Sequence, residues 1–586
     1  MRLNRMGHLP VLIGFLCSSL LMTYPLGFSA DRGLIGENLD QTAALYNLWW
    51  FKYSIFNLHI SPWWNPLINF PHGYSMVFFP IHFPYGIFSL PFQALLPAPQ
   101  GVTLAYNLAL VLSFTLAAYF LFLLARDLTG SARAGVLSGL IFAYFPYHFW
   151  AITRPHVVSI EFVALATLFL LRTLRSEKKT PALALGLALT LLAYASPTYL
   201  IYFFLFLGLA GIFLLFTEPA TLLRQSLLKQ TFLAGIIFIP LGLPLFYTLL
   251  RDYLGQAVPL SPDESLPLAY SGNLLGYFLP GNTQNLYSRF IPWLPSCLSD
   301  LKRPYGVGGY EIFLGWTPLA LALIAGLWLR PRAIRLWLWI GLIFFLLSLG
   351  PRLHAGQHAF LSLPLPQAWL SAVIPVLRED RSPLRFIVFA LLALALLAGF
   401  GLAGLRGRLS GRTHLALSAV LGLLVLAEFS QAPLPLSPIP IPAFYLQLAE
   451  EPGDFAVLDL PLLPDVYRFS GTYQRFHHKR LLIDLTGRKS DERTLQDPLF
   501  RYLDIPARFF SRSREDQARA KVQILAEMNQ RRVRYVVLFR RFLSPAQEEQ
   551  LVKLLRWLGP IEERREEDLF IVFRFPQGQT MNLSPK

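Results

Sequence analysis

The feature that most constrains this sequence is a series of uninterrupted apolar runs close to twenty residues long. A helix of that length spans the ~30 Å hydrocarbon core of a bilayer. Eleven spans are predicted, at roughly 9–27, 104–125, 135–151, 157–173, 181–195, 199–216, 231–250, 312–329, 334–349, 385–405 and 414–430. Charged residues make up only 15% of the chain and apolar residues 54%, so neither a disordered chain nor a single soluble domain fits. The first run, Leu9 to Gly27, follows Arg2 and Arg5 as a secretory leader would. Phe28 stands where a cleavage site needs a small residue, so an uncleaved first helix is expected.

The net charge of +16 invites a nucleic-acid reading, which fails on where the charge sits. Basic residues gather in every second short connection: Arg126 and Arg133; Arg172, Arg175, Lys178 and Lys179; Arg224 and Lys229; Arg330, Arg332 and Arg335; Arg406, Arg408 and Arg412. The positive-inside rule puts these in the cytoplasm. The N-terminus is then inside and residues 431–586 outside. Another 24 basic residues lie after residue 431, mixed with acids; neither set forms a basic stripe, so no nucleic-acid partner is expected. Cys17 and Cys297 are too few and too differently placed for a disulfide scaffold.

Two segments need separate readings. Val77 to Leu96 is apolar but broken by Pro80, Pro84 and Pro91, and is expected to lie on the membrane or dip in and return. Pro181 to Phe216 would make one helix of about 54 Å, so two spans turning at Ser196-Pro197 are expected. The outer connections 28–103 and 251–311 are long and rich in aromatics, Pro and Gly, which favours ordered loops. Residues 431–442 read as a stiff Pro-rich linker, and 443–586 as an extracytoplasmic α/β domain. Strands are predicted at Phe455–Leu460, Leu481–Leu485, Val533–Phe539 and Leu569–Phe575, and helices near 514–530 and 545–557. Ser544 with Gln547 is a capping box for the second of these helices.

Several polar residues in the outer loops can carry chemistry. Asp40 precedes Leu45, Leu48, Trp49 and Phe56, which predict an interfacial helix lying flat, with Asp40 as its N-cap. Glu37 adds a second carboxylate one turn earlier. Such acids serve either as caps, as a general base, or as ligands to a divalent ion. His156 and Glu161 fall at the outer end of the fourth span, with Arg154 as a partner for Glu161. A carboxylate within a span costs roughly 2.5–3.5 kcal/mol at mid-membrane and less at the rim, so it calls for a polar cavity. Glu311 opens the eighth span. Arg378, Arg381 and Arg385 oppose the positive-inside bias. They either pair with Glu379 and Asp380 or grip an anion. The sequence has no GxxxxGK[ST] loop, HExxH or Gly-x-Ser-x-Gly motif.

A family resemblance rests on DQTAALYNLWWFKY, NPLINFPHGYS, PHVVSIEF, LAYSGNLLGYFLP, GGYEIFLGW, LSLGPRLH and RSPLRF, taken in that order. It covers residues 1 to about 430 and extends weakly to YQRFHHKRLLIDLTGR. This pattern resembles the GT-C glycosyltransferases, membrane enzymes that use polyprenyl-phosphate-linked sugars, and in particular a bacterial group of GT-C-like membrane proteins. The resemblance implies a GT-C-like polytopic helical fold in a bacterial cytoplasmic (inner) membrane. It also implies inverting transfer of a sugar from a polyprenyl-phosphate donor to an extracytoplasmic acceptor. It carries a catalytic or metal-binding Asp over to Asp40, with Glu37 beside it. His156, Glu161, Arg154, Glu311, Arg381 and Arg385 are then substrate-binding candidates. A divalent metal, Mg or Mn, would sit at Asp40 or Glu161. Two other readings stand against it: a lipid or glycan flippase, and a non-catalytic cell-envelope assembly protein.

Overall fold

The computed structural model describes residues 7–29, 31, 33–35, 39–79, 81–222, 224–255, 265–291, 293, 312–328, 332–356, 358–378, 380–438, 441–482, 498–504, 506–567 and 569–576. Helices form along every predicted span. They are α1 (His8–Met22), then α2 (Leu39–Phe56) and α3 (Phe83–Leu95) in the long connection that follows it, α4 (Ala98–Thr129) and α5 (Ala132–Tyr144). Next come α6 (Glu161–Arg175), α7 (Lys179–Ala195), α8 (Pro197–Thr217) and α9 (Gln225–Leu254). The set ends with α10 (Trp316–Trp328), α11 (Arg332–Ser348), α12 (Ile387–Gly404) and α13 (Gly411–Phe429). Among the described residues six helices are long and apolar enough to cross a membrane, and four more apolar helices are shorter.

The helix ends follow from local chemistry. Ser196 separates α7 from α8: its Oγ accepts from the Tyr199 N–H at 3.4 Å, and Pro197 takes the first helical position, where its missing N–H costs nothing. The expected turn at Ser196-Pro197 is therefore present. Gly130 ends α4 in the left-handed region at φ +66, a conformation that glycine adopts without a Cβ penalty.

Helix α12 is apolar all round and buried along its length, so it forms the centre of the bundle. Small residues let its neighbours approach. A Cβ on Gly401 would stand 2.2 Å from the Leu321 carbonyl oxygen of α10. On the other side Ser138 Oγ of α5 donates to the Ala395 carbonyl at 2.7 Å. Lipid tails are as apolar as leucine, so close backbone contact of this kind, and not water exclusion, holds such helices together.

Helix α2 departs from the expectation that it lies flat with one face in the lipid. Gln41, Leu45, Tyr46, Leu48, Trp49 and Trp50 are all buried. The helix is enclosed because α3 and α4 pack on it from one side and a helix from the C-terminal region from another.

Among the described residues six short strands lie in the connections: β1 (Leu34–Ile35), β2 (Trp64–Asn65), β3 (Tyr74–Ser75), β4 (Arg352–Ala355), β5 (His358–Pro364) and β6 (Leu436–Ser437). β1 pairs with β6, so the Pro-rich segment is fastened to the first outer loop. Beyond it runs α14 (Ala443–Glu450), β7 (Ala456–Leu460), α15 (Pro464–His477) and β8 (Arg480–Leu481). Then follow α16 (Arg514–Gln530), β9 (Val533–Phe539), α17 (Pro545–Leu558), β10 (Glu563–Glu566) and β11 (Phe570–Arg574). The sheet order is β10-β11-β9-β7-β8, with β7 parallel to both neighbours and β11 antiparallel to both of its own. The Ser544–Gln547 capping box opens α17. Helix α15 has no counterpart in the predicted elements, yet it is the one that meets α2.

Candidate active site

Helix α2 begins at Leu39, so Asp40 sits inside its first turn and is not its N-cap. A carboxylate in that turn is favoured by the free backbone N–H groups and the helix dipole. Its two oxygens hold two guanidinium groups. Arg154 Nε lies 2.8 Å from Oδ2, and Arg468 Nη2 lies 3.0 Å from Oδ1. Arg154 stands just before the short helix Pro155–Val158, with its guanidinium over the Trp150 ring at 4.6 Å. Arg468 projects from α15 and has a second partner, Asp465 Oδ1, at 3.6 Å. The side chains of Asp40, Arg154 and Arg468 are 24%, 18% and 31% exposed, so the cluster is half-open to one side.

Parallel packing of α2 and α15 sets this arrangement. Tyr46 donates to Gln474 Oε1 at 2.7 Å, and Asn65 Nδ2 donates to the Tyr46 hydroxyl at 2.7 Å. Trp49 stacks on His478 with ring centres 5.5 Å apart. The backbone joins in: Leu481 N–H donates to the Leu67 carbonyl at 2.7 Å.

One more guanidinium and a histidine converge on the same place. Arg385 stands in the 3-10 turn Pro383–Phe386 that leads into α12, with Nη1 3.9 Å from Asp380 Oδ1. Asp380 is buried and accepts from the Tyr202 hydroxyl and from the Ser382 N–H at 3.1 Å. His156 is half-buried within electrostatic reach of Arg385, Arg154 and His82. Around these groups Arg154 Nη1, Thr153 Oγ1, Tyr147 Oη and Ser382 Oγ are buried without completing a hydrogen bond among the described residues. Each such group carries a penalty of about 1–3 kcal/mol unless something satisfies it. The Arg378–Arg385 segment divides accordingly. Arg385 faces the cluster; Arg381 is exposed; Arg378 donates to the Ser371 and Ala372 carbonyls at 3.1 and 2.9 Å. Glu379, Glu37 and Glu311 lie outside the described residues.

Glu161 behaves differently from its expected pairing with Arg154, which Asp40 has taken. Its Oε2 accepts from Ser113 Oγ at 2.6 Å, and its Oε1 from the Tyr85 hydroxyl at 3.4 Å. The carboxylate is fully enclosed between α3, α4 and α6, so neutral hydroxyls stabilise it there in place of a cation. Beside it His82 caps α3: its Nδ1 accepts the Tyr85 N–H at 3.1 Å. That leaves the proton on Nε2, which donates to Ser159 Oγ at 2.6 Å, and Ser159 donates onward to the Pro155 carbonyl at 2.7 Å. The chain of bonds anchors the loop that carries Arg154 and His156.

The acids expected to hold a metal, Asp40 and Glu161, already have partners among the described residues. Both Asp40 oxygens carry guanidinium partners, and Glu161 is enclosed by hydroxyls. No group of three His, Cys, Asp or Glu residues suited to a metal occurs among the described residues.

Sequence reading missed Arg468, Asp380 with Tyr202, and the Ser113–Tyr85 cradle. A signal existed for the first. Val466, Phe469, Ser470 and Tyr473 follow the i, i+3, i+4, i+7 spacing of a helix face.

Comparison with known proteins adds the following. A family described as "Domain of unknown function (DUF6311)" matches residues 12–427. No curated protein matches the chain. The apo oligosaccharyltransferase of Archaeoglobus fulgidus aligns with a TM-score of 0.52 at 13% identity, over 91% of this chain and 70% of that one. The same enzyme tethered to an acceptor peptide containing the NVT sequon aligns with a TM-score of 0.50 at 13% identity, over 91% and 69%. ArnT from Cupriavidus metallidurans bound to undecaprenyl phosphate gives 0.49 at 13% identity, over 98% and 99%. Among the described residues six helices are thus long and apolar enough to cross a membrane, and the fold resembles that of the Archaeoglobus fulgidus oligosaccharyltransferase.

Proposed function

We propose that this chain, which belongs to the DUF6311 family, is a membrane glycosyltransferase that moves a sugar from a polyprenyl-phosphate donor to an acceptor hydroxyl on the extracytoplasmic side. The observation that carries this reading is the Asp40–Arg154 pair beside Arg385 and His156, a carboxylate and several cations meeting at one end of apolar helices. Sugar transfer needs both signs of charge: a base for the incoming hydroxyl, and cations for the departing phosphate. The likeness in fold to the oligosaccharyltransferase supports the reaction class.

In the proposed step the acceptor oxygen attacks the anomeric carbon as its proton passes to Asp40. The bond from that carbon to the phosphate oxygen breaks, and polyprenyl phosphate leaves as the anion. Attack from the face opposite the leaving group inverts the anomeric centre. Arg154 Nη1 and Arg385, with the open hydroxyls around them, suit the phosphate. For the hydroxyl to reach Oδ1, Arg468 must withdraw, and Asp465 offers it a second partner. The structure thus fits a closed resting form. Glu161 acts from behind as a structural carboxylate. No step is routed through a metal. We also propose eleven crossings, with the N-terminus cytoplasmic and residues 443–586 as an extracytoplasmic domain over the site.

The test is sugar transfer from a polyprenyl-phosphate sugar by purified wild-type and Asp40→Asn protein. Asn keeps shape and hydrogen bonding but accepts no proton at neutral pH, so the rate should fall by about 10²-fold or more. Equal rates at matched thermal stability would dismiss Asp40 as the base.

A further inference from the structure

A groove of about 420 Å³ lies at the far ends of α4 and α6, away from the candidate active site. Helix α4 links the two places. Tyr106 near its start lies in the field of Asp40, and Asp127 near its end lines the groove. The 21 residues between them rise about 30 Å, the thickness of a bilayer core. The groove therefore belongs to the opposite membrane face, the one with the basic connections.

Its chemistry is two-sided. Leu124, Leu128, Leu168 and Leu171 form an apolar wall, and Arg172 and Arg175 stand at the rim. Arg172 Nε donates to Asp127 Oδ2 at 2.7 Å, which balances that pair. Arg175 Nη1 donates to the Asp127 main-chain carbonyl at 3.0 Å, a neutral partner, so its charge is not offset there. Arg126 Nε lies 3.9 Å from Asp127 Oδ1, and Lys178 and Lys179 follow Arg175 along the chain, with Glu177 between them. A soluble anion would have no use for the leucine wall, whereas an acyl chain would bury it. A zwitterionic headgroup carries its own ammonium and would gain little from Arg175.

We propose that this groove binds an anionic glycerophospholipid, with an acyl chain along the leucines and the phosphate on Arg175 and Arg172. Basic pockets between helices on the cytoplasmic side favour such headgroups. The site would pin α4, α6 and the following connection to the inner leaflet, independently of what happens at Asp40.

The experiment uses the full chain in nanodiscs of mixed phosphatidylglycerol and phosphatidylcholine, with retained lipid counted by native mass spectrometry. Wild type should retain phosphatidylglycerol preferentially. Arg175→Gln, at an exposed position, should cut that preference about fivefold. Leu171→Trp, which fills the groove without changing charge, should cut it as well. Arg406→Gln, in a different basic connection, should leave it unchanged. Equal retention of the two lipids, or an equal loss with Arg406→Gln, would overturn the proposal. So would displacement of phosphatidylglycerol by equimolar undecaprenyl phosphate, which would assign the groove to the donor lipid.

Discussion

Arg468 Nη2 lies 3.0 Å from Asp40 Oδ1, joining the connection after α1 to a helix near the far end of the chain. The pair makes the C-terminal region part of the candidate site's wall. It also gives Asp40 two cationic neighbours, one from each region, and Arg468 has an alternative carboxylate, Asp465, within reach.

The Asp40–Arg468 pair should carry a measurable but modest coupling. Both groups are partly exposed, so a double-mutant cycle with Asp40→Asn and Arg468→Ala is expected to give about 0.5–1 kcal/mol. Thermal unfolding of the four proteins in detergent reads it. Additive effects would mean that the contact contributes nothing to holding α15 on α2.

Arg385 should matter for phosphate departure. Arg385→Gln is expected to lower single-turnover sugar transfer by about 10²-fold, and Arg385→Lys to restore part of it as a point charge without the guanidinium fork. Unchanged transfer in Arg385→Gln would remove this residue from the leaving-group side.

The C-terminal core should show opposing pH effects. Asp459 is buried beside Tyr445 and Ser470, and burial pushes its carboxyl up to about 7 from 3.8. Its contribution to stability is complete below about 4 and is lost as pH rises to about 7. That shift corresponds to at most about 4 kcal/mol. Burial holds His477 down to about 3 from 6.5, so its contribution is complete above about 6.5 and is lost as pH falls. The two slopes offset one another between about pH 4 and 6.5 in the wild type. Asp459→Asn removes the first slope. Its unfolding temperature relative to wild type should rise from pH 5 to pH 8, and a constant difference would refute the assignment.

Membrane orientation is directly testable. Reporter fusions after residues 179 and 440 should report opposite sides, because an odd number of proposed crossings separates them. A common side would show that the proposed spans were miscounted.

The apolar runs and their basic connections were legible without a structure, because a bilayer demands about twenty apolar residues per helix and charge retention on one side. The Ser196-Pro197 break and the Ser544–Gln547 cap were legible for the same reason: each depends on atoms a few residues apart. Asp40, Arg154, His156 and Arg385 were legible as polar residues in the connections between apolar runs. Their partners were not. Arg154 was expected to pair with Glu161, and the packing of α2 against α4 and α15 brought it to Asp40 and left Glu161 to Ser113 and Tyr85. Arg468 came to Asp40 only because α15 packs parallel to α2. Local periodicity and charge are written in neighbouring residues; the choice among distant ion-pair partners depends on which helices touch, and only the folded chain decides that.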